Sequence, residues 1–183
     1  MTTVGWIVLG ILVLVIIVLL VVAARWRSRA SIQEQFGPEY EREAAARGSE
    51  RDAARHLREV ADRRDMLDIR HLEPAARDRY TRRWEAVQAE FVDRPAHALD
   101  EADRLITDVM HDRGYPVEDF NERAQLVAAD HPQVVEHYRA AHAARQRHRR
   151  QSHDGRPGAI DTEELRQAFV HYRALFDELV HDR

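Results

Sequence analysis

An unbroken apolar run near the amino terminus, residues 4–24 (VGWIVLGILVLVIIVLLVVAA), constrains this chain more than any other feature. It contains no charged residue. At about 1.5 Å per residue, a helix of this length is roughly 31 Å long, which matches the hydrocarbon core of a bilayer at about 30 Å. The sequence therefore predicts one transmembrane helix over residues 4–24, preceded by a short extension, residues 1–3.

An apolar run at this position could also belong to a cleaved signal peptide, a buried core helix or an interfacial helix. The apolar part of a signal peptide is usually about 7 to 15 residues long, and an interfacial helix has a polar face. The rest of the chain is too small and too polar to enclose a core helix of this kind. Val22, Ala23 and Ala24 are small residues of the type that a signal peptidase accepts, so cleavage stays open as an alternative.

The charges beside the run predict its orientation. Arginines follow the run at once, whereas no cationic side chain precedes it, and cationic flanks tend to remain in the cytoplasm. Tryptophans lie near both ends, at the depth that amphipathic rings prefer. The predicted membrane-flanking residues are Trp6, Arg25, Trp26, Arg27 and Arg29. We expect the amino terminus outside the cell membrane and the rest of the chain in the cytosol, with export of the domain as the alternative.

Beyond the run, roughly 160 residues remain, which is enough for one domain with a modest core. The chain has no cysteine, so disulfides and thiolate metal sites are excluded. Its formal net charge is -4, with acidic and basic residues interleaved. A dedicated nucleic-acid-binding domain usually has a basic face or a basic total, so we expect no nucleic-acid partner.

Residues 25–67 predict a basic juxtamembrane segment that continues into a charged helical stalk. Glu43 and Arg47 have the i,i+4 spacing that supports a solvated helix. Leu57 and Val60 belong to an apolar stripe too thin for a lasting coiled coil, which needs three or four clean heptads. The stalk is thus expected to dock weakly or to pair with another copy.

From residue 68 onwards, large apolar residues recur at helical spacing between clear stop signals. Tyr80, Trp84 and Val87 lie on one face of the first helix of this region, and proline or glycine separates it from the helices that follow. No segment alternates apolar and polar residues as a strand does. The sequence predicts an all-α fold in which residues 68–183 form an antiparallel bundle of about five helices, with a flexible loop near 151–160.

No catalytic residue, cofactor or metal ion is predicted. Helical zinc sites use histidines three or four residues apart, and the 11 histidines include no such pair. A site assembled from several helices, for instance His111, His131 and His171 with an acid, stays open as an alternative. Asp130 precedes His131 as an acid that orients an imidazole would, but no nucleophile accompanies the pair, and a helix-end role for Asp130 is the better interpretation.

One cationic tract lies near the expected loop. Its arginines could contact an anionic surface such as lipid headgroups, each contributing about 1 kcal/mol near a membrane. The alternative is a solvated helix end beside a flexible loop. The candidate contact residues are Arg145, Arg147, Arg149 and Arg150.

Several stretches of the domain resemble an uncharacterised family of actinobacterial proteins. The resemblance covers LDIRHLEPAARDRYTRRWEAVQAEFVDRP, VMHDRGYPVEDF, DHPQVVEHYRAAH and LRQAFVHYRALFDEL. Members of this family pair an amino-terminal membrane helix with a helical domain, and they are often labelled secreted or membrane proteins. The resemblance implies the same architecture here, and it implies no activity.

These observations favour a non-enzymatic, single-pass membrane protein that holds a helical interaction or scaffold domain near the inner leaflet. We expect its partner to be another protein or a second copy of the chain. The alternative is a membrane-tethered enzyme or ligand receptor with a site of histidines and carboxylates between helices.

Overall fold

A computed structural model of the chain describes Ile16, residues 30–153 and residues 162–181. Every regular element in these residues is helical, which confirms the predicted all-α class. A leading helical segment, residues 30–36, precedes seven helices. They are α1 (Pro38–Arg47), α2 (Glu50–Asp65), α3 (Pro74–Phe91), α4 (Pro95–Arg113), α5 (Phe120–Asp130), α6 (Val135–His153) and α7 (Thr162–His181).

The last five of these helices match the bundle that the sequence predicts. Helices α3 and α4 begin with prolines, whose missing N–H costs nothing in a first turn. At α5, Asp119 Oδ1 accepts a hydrogen bond of 2.8 Å from the backbone N–H of Glu122, which caps the first turn. Helix α6 extends to His153, so the first three residues of the loop expected near 151–160 are helical, and residues 154–161 lie outside the described part of the chain.

Helices α3, α4, α6 and α7 form the centre of the bundle. Trp84 of α3 stacks between Phe169 and Phe176 of α7, with ring centroids 5.2 and 4.7 Å apart. Arg79 of α3 pairs with Asp112 of α4, and Arg83, one turn later in α3, pairs with Asp108, one turn earlier in α4. These two helices are therefore antiparallel. The aromatic face predicted for α3 is therefore a core face.

The structure differs from the predicted stalk over residues 30–65. The apolar side chains of this segment belong to the same buried cluster as those of the later helices. The buried members are Ile32, Phe36, Tyr40, Ala54, Leu57 and Val60. Helix α1 packs on α6, and α2 packs on α5. The folded domain thus begins near residue 32, and not at residue 68 after a stalk.

Long-range charge pairs explain why this segment resembles a solvated helix in the sequence. Glu39 is 1% exposed and accepts two hydrogen bonds from Arg139, at 2.6 and 2.8 Å, although the two residues are 100 positions apart. Arg63 donates to Glu122 at 2.8 Å. The charges that suggest a solvated surface are therefore partly covered by charges of α5 and α6.

The predicted membrane span, residues 4–24, and the extension, residues 1–3, lie outside the described residues apart from Ile16. They remain predictions. Among the helices of the described part, none combines the length and the apolar character needed to cross a bilayer.

The loop after α2 is fixed to the end of α4. The backbone N–H of Arg70 donates to the carbonyl of Arg113 at 2.9 Å. Gly114 ends α4 with φ 100°, and a Cβ added there would lie 2.5 Å from the carbonyl oxygen of Asp68. Glycine is thus required at this position both by the backbone angle and by the close approach of the loop.

Substitution of Gly114 by alanine should destabilise the protein more than the same change at Gly48. Gly48 also has a positive φ, 66°, but its surroundings are open. We expect Gly48→Ala to lower the free energy of unfolding by about 1–2 kcal/mol, the cost of a left-handed backbone. Gly114→Ala should lose about 1–3 kcal/mol more through the steric clash. Urea unfolding would measure both, and equal losses would contradict the close approach.

Substitution of Phe36 tests whether the segment before α1 belongs to the core. Phe36 is 0% exposed, so Phe36→Ala should lower the free energy of unfolding by about 3–5 kcal/mol. Met66 is 77% exposed and provides the control, because Met66→Ala should change stability by less than about 0.5 kcal/mol. A near-zero loss at Phe36 in thermal or urea unfolding would restore the stalk interpretation.

Candidate functional site

A polar cleft lies at one end of the bundle, where several helices finish. We call it the helix-end cleft, and its volume is about 270 Å³. Its lining residues are Arg64, Ile69, Arg70, His71, Arg113, Asp130, His131 and Glu178. They come from the last turns of α2, α4, α5 and α7, and from the loop that Gly114 holds in place. A second cavity of about 390 Å³ adjoins the cleft and shares Arg70 and His71 with it.

The cleft lies at the carboxyl ends of helices, and this explains why it contains cationic side chains. The carboxyl end of a helix carries a partial charge of about −0.5, and four such ends meet here. Arg113 is 3% exposed, and it donates to the carbonyl of Leu179 at 3.0 Å and to that of Arg70 at 3.2 Å. These bonds join the ends of α4 and α7 to the loop. Arg113 therefore neutralises helix ends, and an anionic ligand would have to compete with them.

The carboxylates of the cleft are also engaged. Asp130 accepts hydrogen bonds from Arg64 and, at 2.6 Å, from the hydroxyl of Tyr115. Burial raises the pKa of Tyr115, and the charge of Asp130 raises it further, so the phenol remains a neutral donor. His131 Nδ1 lies 2.9 Å from Glu178 Oε1. Asp130 and His131 thus bind different partners and do not form an acid–imidazole dyad. Asp130 is the last residue of α5, which agrees with the helix-end position predicted for it.

A second polar network joins α4, α6 and α7 inside the bundle. Asp103 is 9% exposed, accepts a hydrogen bond from the hydroxyl of Tyr172 at 2.7 Å and forms an ion pair with Arg145 at 3.0 Å. Burial alone would raise the pKa of Asp103, but His142, Arg145 and Tyr172 together lower it below its ordinary value. Burial and the neighbouring Asp103 carboxylate raise the pKa of Tyr172. The carboxylate is held ionised and the phenol neutral, which suits structural pairing better than proton transfer.

The predicted cationic tract is divided by the helix surface. Arg145 lies inward with its side chain 13% exposed, and its Nε donates to Asp100 at 2.6 Å. Arg147 donates two hydrogen bonds to Glu164 of α7. Arg149 and Arg150 are exposed. Within the described part, Arg149 and Arg150 are the arginines of the tract that form no ion pair with a carboxylate. They are therefore the remaining candidates for the predicted contact with an anionic surface.

The structure does not bring together the three histidines considered from the sequence. His111 is exposed beside Asp112, His131 contacts Glu178, and His171 contacts His137. Within residues 30–153 and 162–181, no three metal-ligating side chains form a cluster. The predicted membrane-flanking residues lie outside the described residues, so the structure does not test their role. They are Trp6, Arg25, Trp26, Arg27 and Arg29.

The pair formed by His137 and His171 was missed in the sequence. The two residues are 34 positions apart and lie on different helices, so a spacing rule for a single helix does not find them. The pairing depends on how α6 and α7 pack against each other, and no local sequence pattern reveals it.

The chain matches no known protein-family profile, no curated protein and no solved structure. The resemblance to the uncharacterised actinobacterial family stays a prediction. The function of the chain is therefore inferred from its own residues and their geometry.

Removal of the Asp103 carboxylate should destabilise the bundle strongly. Asp103→Ala leaves the inward guanidinium of Arg145 without its buried partner, which typically costs about 3–5 kcal/mol. Asp100 is the control, since its side chain is 32% exposed and Asp100→Ala should cost about 1 kcal/mol. Urea unfolding at pH 7 would measure both losses.

The network around Asp103 makes the free energy of unfolding depend on pH. The pKa of Asp103 is lower in the folded state than in the unfolded chain, so its contribution is complete above the unfolded value of about 3.9. That contribution is lost as the pH falls from there through the lowered folded value. Asp103→Asn should therefore flatten the acid limb of the stability curve, and an unchanged acid limb would contradict the network.

Proposed function

We propose that this protein is a non-enzymatic, single-pass membrane protein whose helical bundle is an interaction or scaffold domain at the cytoplasmic face. The apolar run at residues 4–24, with arginines only on its carboxyl side, supports the anchor and its orientation. The carboxylates and cations of the bundle support a scaffold, because those in the helix-end cleft and around Asp103 are engaged in joining helices.

The burial of Ile32 and Phe36 limits how far the bundle can lie from the predicted membrane span. Ile32 is the first buried core residue of the described part, and it follows Ala24, the end of the predicted span, closely in the sequence. Eight residues reach about 12 Å as a helix and at most about 28 Å when extended. The bundle is thus held directly against the membrane surface, within the reach of the headgroup layer, and not on a long stalk.

The exposed arginines favour a protein partner over lipid. A Cβ added to Gly37, which joins the leading segment to α1, would lie 3.3 Å from the Cβ of Pro132 just before α6, so the chain enters the bundle near the start of α6. Arg149 and Arg150 lie near the other end of that helix, about 20 Å further along it. If the entry end faces the bilayer, these cations point away from it. An acidic protein surface or a second copy is then the better partner, and anionic lipid is the alternative.

A second candidate function is a membrane-tethered ligand receptor or enzyme that uses the helix-end cleft. The observation in its favour is a cavity that combines His71 and His131 with two carboxylates. Against it stands the engagement of Asp130, Glu178 and Arg113 in structural contacts. A small polar ligand that raises the melting temperature of the protein, and loses this effect in His71→Ala, would support this candidate.

Membrane attachment and orientation can be measured together. The full chain should remain in the membrane pellet after alkaline carbonate extraction, and a variant without residues 4–24 should move to the supernatant. A carboxyl-terminal reporter that works only in the cytosol should be active, and one that works only after export should be silent. The opposite reporter pattern would place the domain outside the cell and overturn the orientation, whereas release by carbonate would overturn the anchor.

The partner can be tested with a charge reversal. The double variant Arg149→Glu, Arg150→Glu should reduce the recovery of a bound protein when the chain is purified from membranes in mild detergent. The exposed Arg51 of α2 provides a control, because Arg51→Glu changes charge on another helix. Equal recovery in all three proteins would exclude these arginines from the interface, and lost binding to anionic vesicles in the double variant alone would assign them to lipid.

A further inference from the structure

Two partly buried histidines, His137 of α6 and His171 of α7, lie in contact between these helices. His137 Nδ1 and His171 Nδ1 are 2.7 Å apart. The ring centroids are 4.9 Å apart and the ring planes differ by 29°. Because the centroid distance exceeds the nitrogen distance by about two ring radii, the rings meet edge to edge through these nitrogens and do not overlap face to face. At this distance one Nδ1–H donates a hydrogen bond to the other Nδ1, and the tautomers decide which ring is the donor. If the shared proton moves to Nε2 of its own ring, both Nδ1 lone pairs become available to a metal ion.

We propose that His137 and His171 form a two-imidazole site for a divalent transition-metal ion, with copper(II) preferred, that joins α6 to α7. The site goes beyond the proposed scaffold function and does not depend on it. The two nitrogens are the protein ligands, and water occupies the remaining coordination positions. Imidazole nitrogens suit copper, nickel and zinc, whereas calcium and magnesium require oxygen ligands.

The nitrogens are close enough for one ion to reach both. With metal–nitrogen bonds of about 2.0 Å, two ligands at 90° in a square-planar ion are about 2.8 Å apart, and two ligands of a tetrahedral ion are about 3.3 Å apart. The hydrogen-bonded nitrogens are 2.7 Å apart, so small ring rotations bring them to either separation. The rings need only tilt about χ2, a torsion that is broad for histidine. The general order of affinities places copper(II) above nickel and zinc.

The surroundings leave the two imidazoles accessible, because both side chains are only partly buried. One turn further along each helix lie alanines, Ala140 and Ala174, which leave room for water ligands on the outer side. Gln133 and Gln167, one turn back, donate their amide hydrogens to Glu178 and Glu163.

A bound ion would stabilise the pair of helices that it joins. Helices α6 and α7 share the most extensive contact in the bundle. Their polar contacts include His137–His171, near the start of α6 and the middle of α7, and Arg147–Glu164, near the start of α7. A ligand that binds only the folded state raises stability in proportion to the logarithm of its concentration above Kd. Copper(II) should therefore raise the melting temperature, and the increase should grow with copper concentration.

The test uses the full chain in detergent, without a histidine tag, titrated with copper(II), nickel(II), zinc(II) or magnesium(II) chloride. Calorimetry should give one copper(II) ion per chain, weaker binding of nickel and zinc, and none of magnesium. Electron paramagnetic resonance should show coupling to two imidazole nitrogens. His137→Gln and His171→Gln should each weaken copper binding by at least about tenfold, since each removes one of two ligands.

His111→Gln is the matched control, because His111 is 72% exposed and lies at the end of α4. It should bind copper as the unchanged protein does. Circular dichroism in the absence of metal should show that all three variants are folded, and the copper-induced rise in melting temperature should be absent only in the two pair variants. Copper affinity that is unchanged in both pair variants, or that is lost in His111→Gln, would overturn the assignment.

Discussion

Pairing of charges between distant helices is the constraint on which this fold depends. One third of the chain is charged, and several helices bury charged groups beside their apolar residues, among them Glu39, Asp103 and Arg123. Glu39 is covered by Arg139, and Asp103 by Arg145. Such pairs contribute little net stability compared with apolar residues of the same size, but an unpaired partner is strongly unfavourable. They therefore select one arrangement of the helices out of the many that apolar contacts alone would permit.

The same requirement limits where chemistry can take place. At the helix-end cleft, four negative helix ends and two carboxylates meet three arginines, and the contacts of Arg64 and Arg113 join these groups to one another. Around Asp103, hydrogen bonds hold the carboxylate ionised and the tyrosine neutral. Both networks use their charges to hold helices together. The paired histidines of α6 and α7 differ, since their nitrogens face each other with no carboxylate at ion-pair distance in the described residues.

The sequence predicts the local features of the fold well and the long-range ones poorly. Proline and glycine mark the ends of α3 and α4, and the apolar spacing of Tyr80, Trp84 and Val87 identifies a core face, because these signals act within one helix. The burial of α1 and α2 depends on partners such as Arg139, about 100 positions away, which no local pattern reveals.

The candidate sites follow the same division. The arginine tract after residue 144 is visible in the sequence, but the inward position of Arg145 depends on Asp100 and Asp103 of another helix. The helix-end cleft and the histidine pair are assembled from separate helices, so only the structure reveals them. Conversely, the apolar run that predicts a membrane span is evident from the sequence alone and lies, apart from Ile16, outside the described residues.

The central claim is that residues 30–65 are part of the folded domain and not a stalk. Native-state hydrogen exchange on the full chain in detergent tests it most directly, because it measures the opening free energy of each helix separately. Amides of α2, such as those of Leu57 and Val60, should exchange with the same opening free energy as those of Leu105 and Val109 in α4. Exchange of the α2 amides near the rate of an unstructured chain, beside a protected α4, would contradict the account.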